Sequence, residues 1–420
     1  MHLATSSIVV FFTAAASILV GNIVHAAAIA ENGGGSGGGG GAKVVLPLHR
    51  SAGFSLDTPT AMMRVHARYA NMLNEENPAI VKSGLPKDPN AYSIFPVTSY
   101  AIDVSYYVQV GIGTPPQHFK LNLDTGSADL YVESTMCESC ENDHSHLFNP
   151  SKSRTYTPTK EKWRIRYGDG STANGIIGID RLQLGKLEVE SQMIELAVDQ
   201  SEDLTQGPGE GILGLAFSGA ASVKSIKTPM DNLVAQNRLQ EPVFSLYLGN
   251  KKHGQDGALE FIFGGYNADY VDGPFSSIPV NKSLGYWSID VPSIQIGDTT
   301  ITRNVQAIID TGTTLIIFPK KLMEWVALFY GAERQENGIL YKIDCDLSRL
   351  PSLTFNMGNG LVFTLPPELL IYRKDDDSNC QASFTSMEHD FLILGDIFLK
   401  QYYTVFDYQK PEIRIANLKQ

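Results

Sequence analysis

Asp-Thr-Gly occurs twice in this 420-residue chain, as Asp124-Thr125-Gly126-Ser127 and as Asp310-Thr311-Gly312-Thr313, each time at the end of an apolar run. Paired carboxylates can divide acid and base work, one donating a proton while its ionised neighbour accepts one, which is what splitting a stable amide with water requires. Two carboxylates a few ångströms apart cannot both ionise cheaply, so over a range of pH the pair holds one proton, and the base belongs to the pair rather than to one residue. The ionised partner can then deprotonate a water held between them while the protonated one polarises the scissile carbonyl, with no covalent intermediate. One copy alone reads as ordinary polar turn chemistry. Two copies suggest a site, with Asp124 and Asp310 as its acids. Around them Gly126 and Gly312 allow close backbone approach, Ser127 and Thr313 bring hydroxyls to orient the aspartates, and Thr125 and Thr311 can bond across a junction between halves.

The elements that position these loops repeat as well. Ile212-Leu213-Gly214 follows the first Asp-Thr-Gly by 88 residues and Ile393-Leu394-Gly395 follows the second by 83, the same order at nearly the same offset. Duplication is implied, each half supplying one aspartate. Phe119, Leu121 and Leu123 alternate with Lys120 and Asn122 and run directly into Asp124, the signature of a half-buried strand. Beyond Ser99 the pattern is mostly such short strands, so the expected fold class is all-β with a few short helices. Two helices stand out. Thr228-Pro229-Met230-Asp231 opens one with a capping box, and Pro319 opens another through Leu322, Val326 and Phe329 that Gly331 closes.

From Ser99 to Gln420 the chain resembles the pepsin-like aspartic proteases, in particular their secreted fungal members. The motifs stand in family order: Tyr106 to Gly113, the first Asp-Thr-Gly-Ser, Tyr167-Gly168-Asp169-Gly170-Ser171, Gly211-Ile212-Leu213-Gly214-Leu215, Asp310-Thr311-Gly312-Thr313-Thr314 and Leu394-Gly395-Asp396. The resemblance implies two β-rich lobes around a long cleft, aspartates at its floor and a hairpin flap above them, and a pepstatin-sensitive endopeptidase acting on polypeptides at acidic pH. It places Tyr167, Gly168 and Asp169 in the flap and Thr314 beside the substrate. Asp169 would face the side chain preceding the scissile bond, which implies acceptance of lysine besides bulky apolar residues; the alternative is that it only stabilises the hairpin turn. Tyr131 departs from the pattern, replacing the usual tryptophan that hydrogen-bonds the flap tyrosine and changing the reach of that donor. Arg68-Tyr69 resembles the Lys-Tyr of family pro-segments, whose lysine occupies the aspartates in the zymogen. An arginine could pair there bidentately and keep its charge on acidification.

Two rivals belong to other classes. A carbohydrate hydrolase also uses paired carboxylates, but it explains neither flap nor repeat. A silent, peptide-binding member of the same fold would have lost an aspartate or the flap tyrosine, and all three are present.

Length makes two domains the prior, and 43% hydrophobic residues are ample for packed cores. A net charge of -12 argues against nucleic acid as a partner, since phosphate binding needs a basic face. Ile8 to Val24 is apolar and is followed by small residues, which reads as a secretory signal over residues 1–26 despite missing basic residues, with an N-terminal membrane anchor as the alternative. Residues 27–92 read as an activation pro-segment. It contains a nearly pure glycine linker at 33–41 and a mildly basic helix from Thr60 to Asn74 with Met62, Val65, Tyr69 and Leu73 at helical spacing. The lobes are expected at 93–274 and 275–420. Four cysteines allow three connectivities, and in an oxidising compartment the sequence-local choice is Cys137 with Cys140 and Cys345 with Cys380. Zinc at Cys137 and Cys140 with His144 and His146 is the competing reading, though the spacing is tighter than in usual zinc sites; a redox Cys-x-x-Cys lacks its strand-to-helix context. No metal or cofactor is expected. Asn281-Lys282-Ser283 is the glycosylation candidate. With no hydrophobic tail or retrieval signal near Gln420, the expected product is a secreted monomer inhibited by its own pro-segment until processed, delivery to an acidic vacuole being the alternative.

Overall fold

The computed structural model describes residues 43–47, 49–50, 69, 106–140, 146–166, 172–201, 210–248, 260–335, 338–374 and 380–419. The signal, the glycine linker, most of the expected pro-segment helix and the flap tip at 167–171 lie outside the described residues.

Alternation in the sequence becomes burial in the strands. In Gln117–Asp124 the side chains of Phe119, Leu121 and Leu123 are buried while His118 and Lys120 are exposed, as a period of two demands. The strand lies within an eight-stranded sheet built from the first half and the short strand His49–Arg50 of the expected pro-segment, and a seven-stranded sheet is built from the second. The fold is the bilobal, mainly β architecture expected.

The two halves repeat one wiring. Gln117–Asp124 pairs in parallel with Gly211–Gly214, which pairs antiparallel with Leu130–Val132, which in turn lies parallel to Leu187–Gln200. In the second half Thr299–Ile309 pairs in parallel with Phe391–Leu394, which pairs antiparallel with Ile316–Pro319, itself parallel to Phe384–Met387. The Ile-Leu-Gly echoes are thus the central strands that flank each aspartate. Their glycines admit the crossing of the loop: a Cβ at Gly214 would lie 2.5 Å from the backbone carbon of Ala128, and one at Gly395 2.1 Å from the carbonyl oxygen of Thr313.

A third sheet joins the halves. Its order is Val44–Pro47, Glu260–Phe263, Val243–Tyr247, Tyr402–Asp407, Glu412–Leu418 and Val271–Pro279, so a strand from the expected pro-segment forms one edge and strands of the first half pair with strands of the second. Phe244 lies opposite Phe406 and their rings stack at 4.7 Å. Both pack on the fully buried Trp287, whose indole N–H donates to the carbonyl of Leu215 at 2.9 Å. An aromatic cluster of this size excludes water from the junction and contributes beyond its buried area.

The helices follow their caps. Pro229–Ala235 begins on Thr228, whose hydroxyl accepts from the Asp231 amide while the Asp231 carboxylate accepts from the Thr228 amide. Lys320–Tyr330 begins after Pro319 and ends on Gly331 at φ 60°. It buries Leu322, Met323, Val326 and Tyr330, whereas Phe329 turns outward with Trp325 and Leu328. Spacing alone did not resolve that last position.

Both expected disulfides are present, Cys137 with Cys140 and Cys345 with Cys380. The first removes the cysteines that the zinc reading needed. The second spans 35 residues, so the loop it closes has substantial entropy in the unfolded chain. Replacing both of its cysteines by serine is expected to lower unfolding free energy by about 3 kcal/mol, read as a lower urea midpoint. An unchanged midpoint would show that the bridge constrains nothing in the unfolded state.

Candidate active site

Each Asp-Thr-Gly loop begins where a central strand ends, and each aspartate is held by its own turn. Asp124 Oδ1 accepts from the Gly126 amide at 2.9 Å and Oδ2 from the Ser127 hydroxyl at 2.5 Å. Asp310 Oδ1 accepts from the Gly312 amide at 2.8 Å and Oδ2 from the Thr313 hydroxyl. Both carboxylates are buried, so each short turn supplies the polar partners that burial makes obligatory. The donors that each turn supplies to its own aspartate match one for one.

The threonines lock the loops to one another. The Thr125 amide donates to Oγ1 of Thr311 at 3.0 Å, and the Thr311 amide donates to Oγ1 of Thr125 at 2.9 Å. Each hydroxyl also donates to the strand opposite, Thr125 to the Ile309 carbonyl at 2.9 Å and Thr311 to that of Leu123 at 3.0 Å. All of these atoms are buried. The loops therefore form one rigid unit across the junction, as the sequence suggested. A Cβ on Gly126 would stand 2.6 Å from Oδ1 of Asp310, which measures how closely the two turns approach.

The same hypothetical Cβ would stand 2.5 Å from the hydroxyl of Tyr69. That hydroxyl donates to Oδ2 of Asp310 at 3.1 Å. Tyr69 is fully buried, its ring packed against Tyr286 at 5.4 Å and Phe391 at 5.6 Å. A residue far upstream thus reaches the aspartates. Arg68 lies outside the described residues.

The family model "Eukaryotic aspartyl protease" covers residues 105–418. The chain belongs to the aspartyl protease family. Syncephapepsin of Syncephalastrum racemosum is 40% identical over 374 residues, covering 89% of this chain and 92% of that protein. Rhizopuspepsin-2 of Rhizopus niveus is 38% identical over 376 residues, with 90% and 93% covered. Cathepsin E of Rattus norvegicus is 35% identical over 332 residues, with 76% and 81% covered. As a member of this family the chain is an aspartic-type endopeptidase.

The remaining residues expected at the site of this protease fall into three groups. Thr314 is buried and its carbonyl accepts from the Ile397 amide, so its backbone braces the second loop. Tyr167, Gly168 and Asp169 lie outside the described residues, between the paired strands Thr157–Arg166 and Thr172–Leu184. Tyr131 donates its hydroxyl to Gln200 and meets the Trp163 ring edge-on at 5.5 Å. Gln200 in turn donates to Glu133 at 2.7 Å.

Asn281 is exposed in the connection between Val271–Pro279 and Ser288–Ile296, its Oδ1 accepting from the Ser283 amide at 3.1 Å. Among the described residues no cluster could hold a metal ion, and no helix is long and apolar enough to cross a membrane. Sequence reasoning did not single out Tyr286 or Phe391 as neighbours of Tyr69. The position of Phe391, just ahead of Leu392-Ile393-Leu394, was the available signal.

Proposed function

We propose that the chain is the precursor of a secreted acid endopeptidase in which Asp124 and Asp310 share one proton and activate water against internal peptide bonds. The matched hydrogen bonding that each aspartate receives from its own turn supports this, because once Tyr69 leaves Asp310 those turns give neither carboxylate a fixed role until substrate breaks the symmetry. Gly126 and Gly312 amides with the Ser127 and Thr313 hydroxyls orient the pair; the protonated acid polarises the carbonyl and later returns a proton to the leaving amine. A flap formed around Tyr167, Gly168 and Asp169 closes over extended substrate, with bulky apolar residues and, through Asp169, lysine accepted before the cleaved bond.

Latency follows from Tyr69, the single observation that carries the precursor reading. Its hydroxyl stands at hydrogen-bonding distance from Asp310, where an attacking water would have to bind, and its ring fills space between Tyr286 and Phe391. The strand Val44–Pro47, antiparallel to Glu260–Phe263, anchors the same upstream segment. Residues 27–92 are accordingly a pro-segment removed on acidification, leaving lobes at about 93–274 and 275–420.

Purified precursor, acidified and given denatured haemoglobin or casein, is expected to lose its N-terminal segment and then cleave substrate in a pepstatin-sensitive manner. A precursor that stays intact in acid and binds peptide without turnover would overturn the reading. Tyr69→Ala should raise the activity of the unprocessed chain about tenfold, since a buried aromatic anchor of one to a few kcal/mol is lost. Peptides carrying lysine or phenylalanine before the cleaved bond, compared in the same assay with Asp169→Ala, test the specificity. Equal loss on both peptides would remove Asp169 from that role.

A further inference from the structure

Three of the large apolar side chains exposed among the described residues sit together on one helix. Trp325, Leu328 and Phe329 stand three and four positions apart along Lys320–Tyr330, so they form one contiguous crest rather than scattered singletons. Trp325 is 57% exposed, and Leu328, at 72%, is the most exposed of all. The opposite face is committed to the fold. Leu322, Met323, Val326 and Tyr330 are buried where the helix packs on the strands Thr299–Ile309, Ile316–Pro319 and Phe384–Met387. A helix that is apolar on both faces carries one face more than its own packing uses.

The crest is convex and electrically neutral. A Cβ built on Gly331, which closes the helix, would meet nothing within 4 Å, so that end projects into open space. The exposed charges on the helix, on the strand Glu333–Arg334 that follows it and on the ion-pair partner of Lys320 cancel: Lys320, Lys321 and Arg334 against Glu324, Glu333 and Glu388. That balance is local, since the whole chain carries -12.

The size of the crest decides between occupants. At about 150–250 Å² for a whole aromatic side chain, the three residues expose on the order of 300 Å² of apolar surface. A stable protein interface takes about 800 Å² from each partner, so a second copy would be held by too little. A bilayer has no such threshold, because an interfacial helix lays its apolar face only about 5–10 Å into the boundary between headgroups and acyl chains. Leucine and phenylalanine suit that depth, and the indole of tryptophan keeps its N–H among the headgroups. An anionic surface would repel a chain of charge -12, whereas a zwitterionic one meets a neutral rim.

We propose that Trp325, Leu328 and Phe329 form a docking crest for a bilayer of zwitterionic phospholipid and hold this protease at a lipid surface. None of the three belongs to the Asp-Thr-Gly loops, so docking and peptide hydrolysis are separable.

The protein carries its own probe. Of its three tryptophans Trp163 and Trp287 are buried, which leaves Trp325 as the one that a lipid surface can reach. The full chain mixed with phosphatidylcholine vesicles should co-sediment with them and shift its tryptophan emission to shorter wavelength, equally at low salt and in about 1 M salt. Leu328→Ser should lower the vesicle partition coefficient about tenfold or more and leave the urea midpoint unchanged, since that side chain is exposed. Trp325→Phe keeps an apolar side chain and should keep binding while abolishing the emission shift. Absence of binding at millimolar lipid would overturn the crest. So would binding that leaves the emission unmoved, as insertion of the tryptophan-free stretch Ile8 to Val24 would give, or binding confined to phosphatidylserine vesicles and lost in salt. A Leu328→Ser chain that loses a concentration-dependent dimer yet binds vesicles as before would assign the face to a second copy instead.

Discussion

Asp124→Asn and Asp310→Asn should each lower kcat by about 10⁴-fold, close to 5 kcal/mol of transition-state stabilisation, with KM for a peptide substrate nearly unchanged. An amide keeps the shape and the acceptor at one oxygen, so the Gly126 and Gly312 amides still have a partner at Oδ1. What the substitution removes is the exchangeable proton and the negative charge on which a shared-proton mechanism depends. Either replacement should therefore cost about as much as both together. Peptide hydrolysis at acidic pH by the two single variants and the double variant measures this. Losses that multiply, or one aspartate proving dispensable, would show that the two act as separate groups.

Thr125→Val should cost about 4 kcal/mol of unfolding free energy and reduce kcat about a hundredfold. Valine preserves shape and removes one hydroxyl, which leaves the Thr311 amide and the Ile309 carbonyl buried without partners. Each orphaned group costs about 1–3 kcal/mol, and the loops then move apart by enough to spoil the alignment of the aspartates. Thr311→Val should behave alike through the Thr125 amide and the Leu123 carbonyl. The double variant should cost less than the sum, because all members belong to one network. Urea unfolding and kcat measured on the same preparations decide it. A stability loss without a kcat change would separate holding the lobes from aiming the acids.

Much of the frame was legible in local chemistry. Strand alternation from Phe119 to Leu123, the capping box at Thr228 and the glycine stop at Gly331 are set by neighbours a few residues apart, and each appears where expected. The repeat at matched offsets revealed the duplicated wiring because each Ile-Leu-Gly must pass beside its loop without a Cβ. Phe329 lies in the expected helix, and that it faces solvent while Leu322 and Val326 are buried was decided by packing. The shared sheet was invisible for another reason. Glu260–Phe263 and Glu412–Leu418 are ordinary strand sequences, and nothing in either encodes which half its neighbours come from.

By itself the sequence determined the family frame, the two acids and the hydroxyls that orient them, since these depend on residue types at fixed short spacing. Only the tertiary structure decided what meets them. The reciprocal threonine bonds join residues 186 positions apart, and the Tyr69 hydroxyl reaches Asp310 across 241. Contacts of that range follow from how two lobes and a shared sheet pack, because burial leaves each polar group only the partners that packing brings within reach.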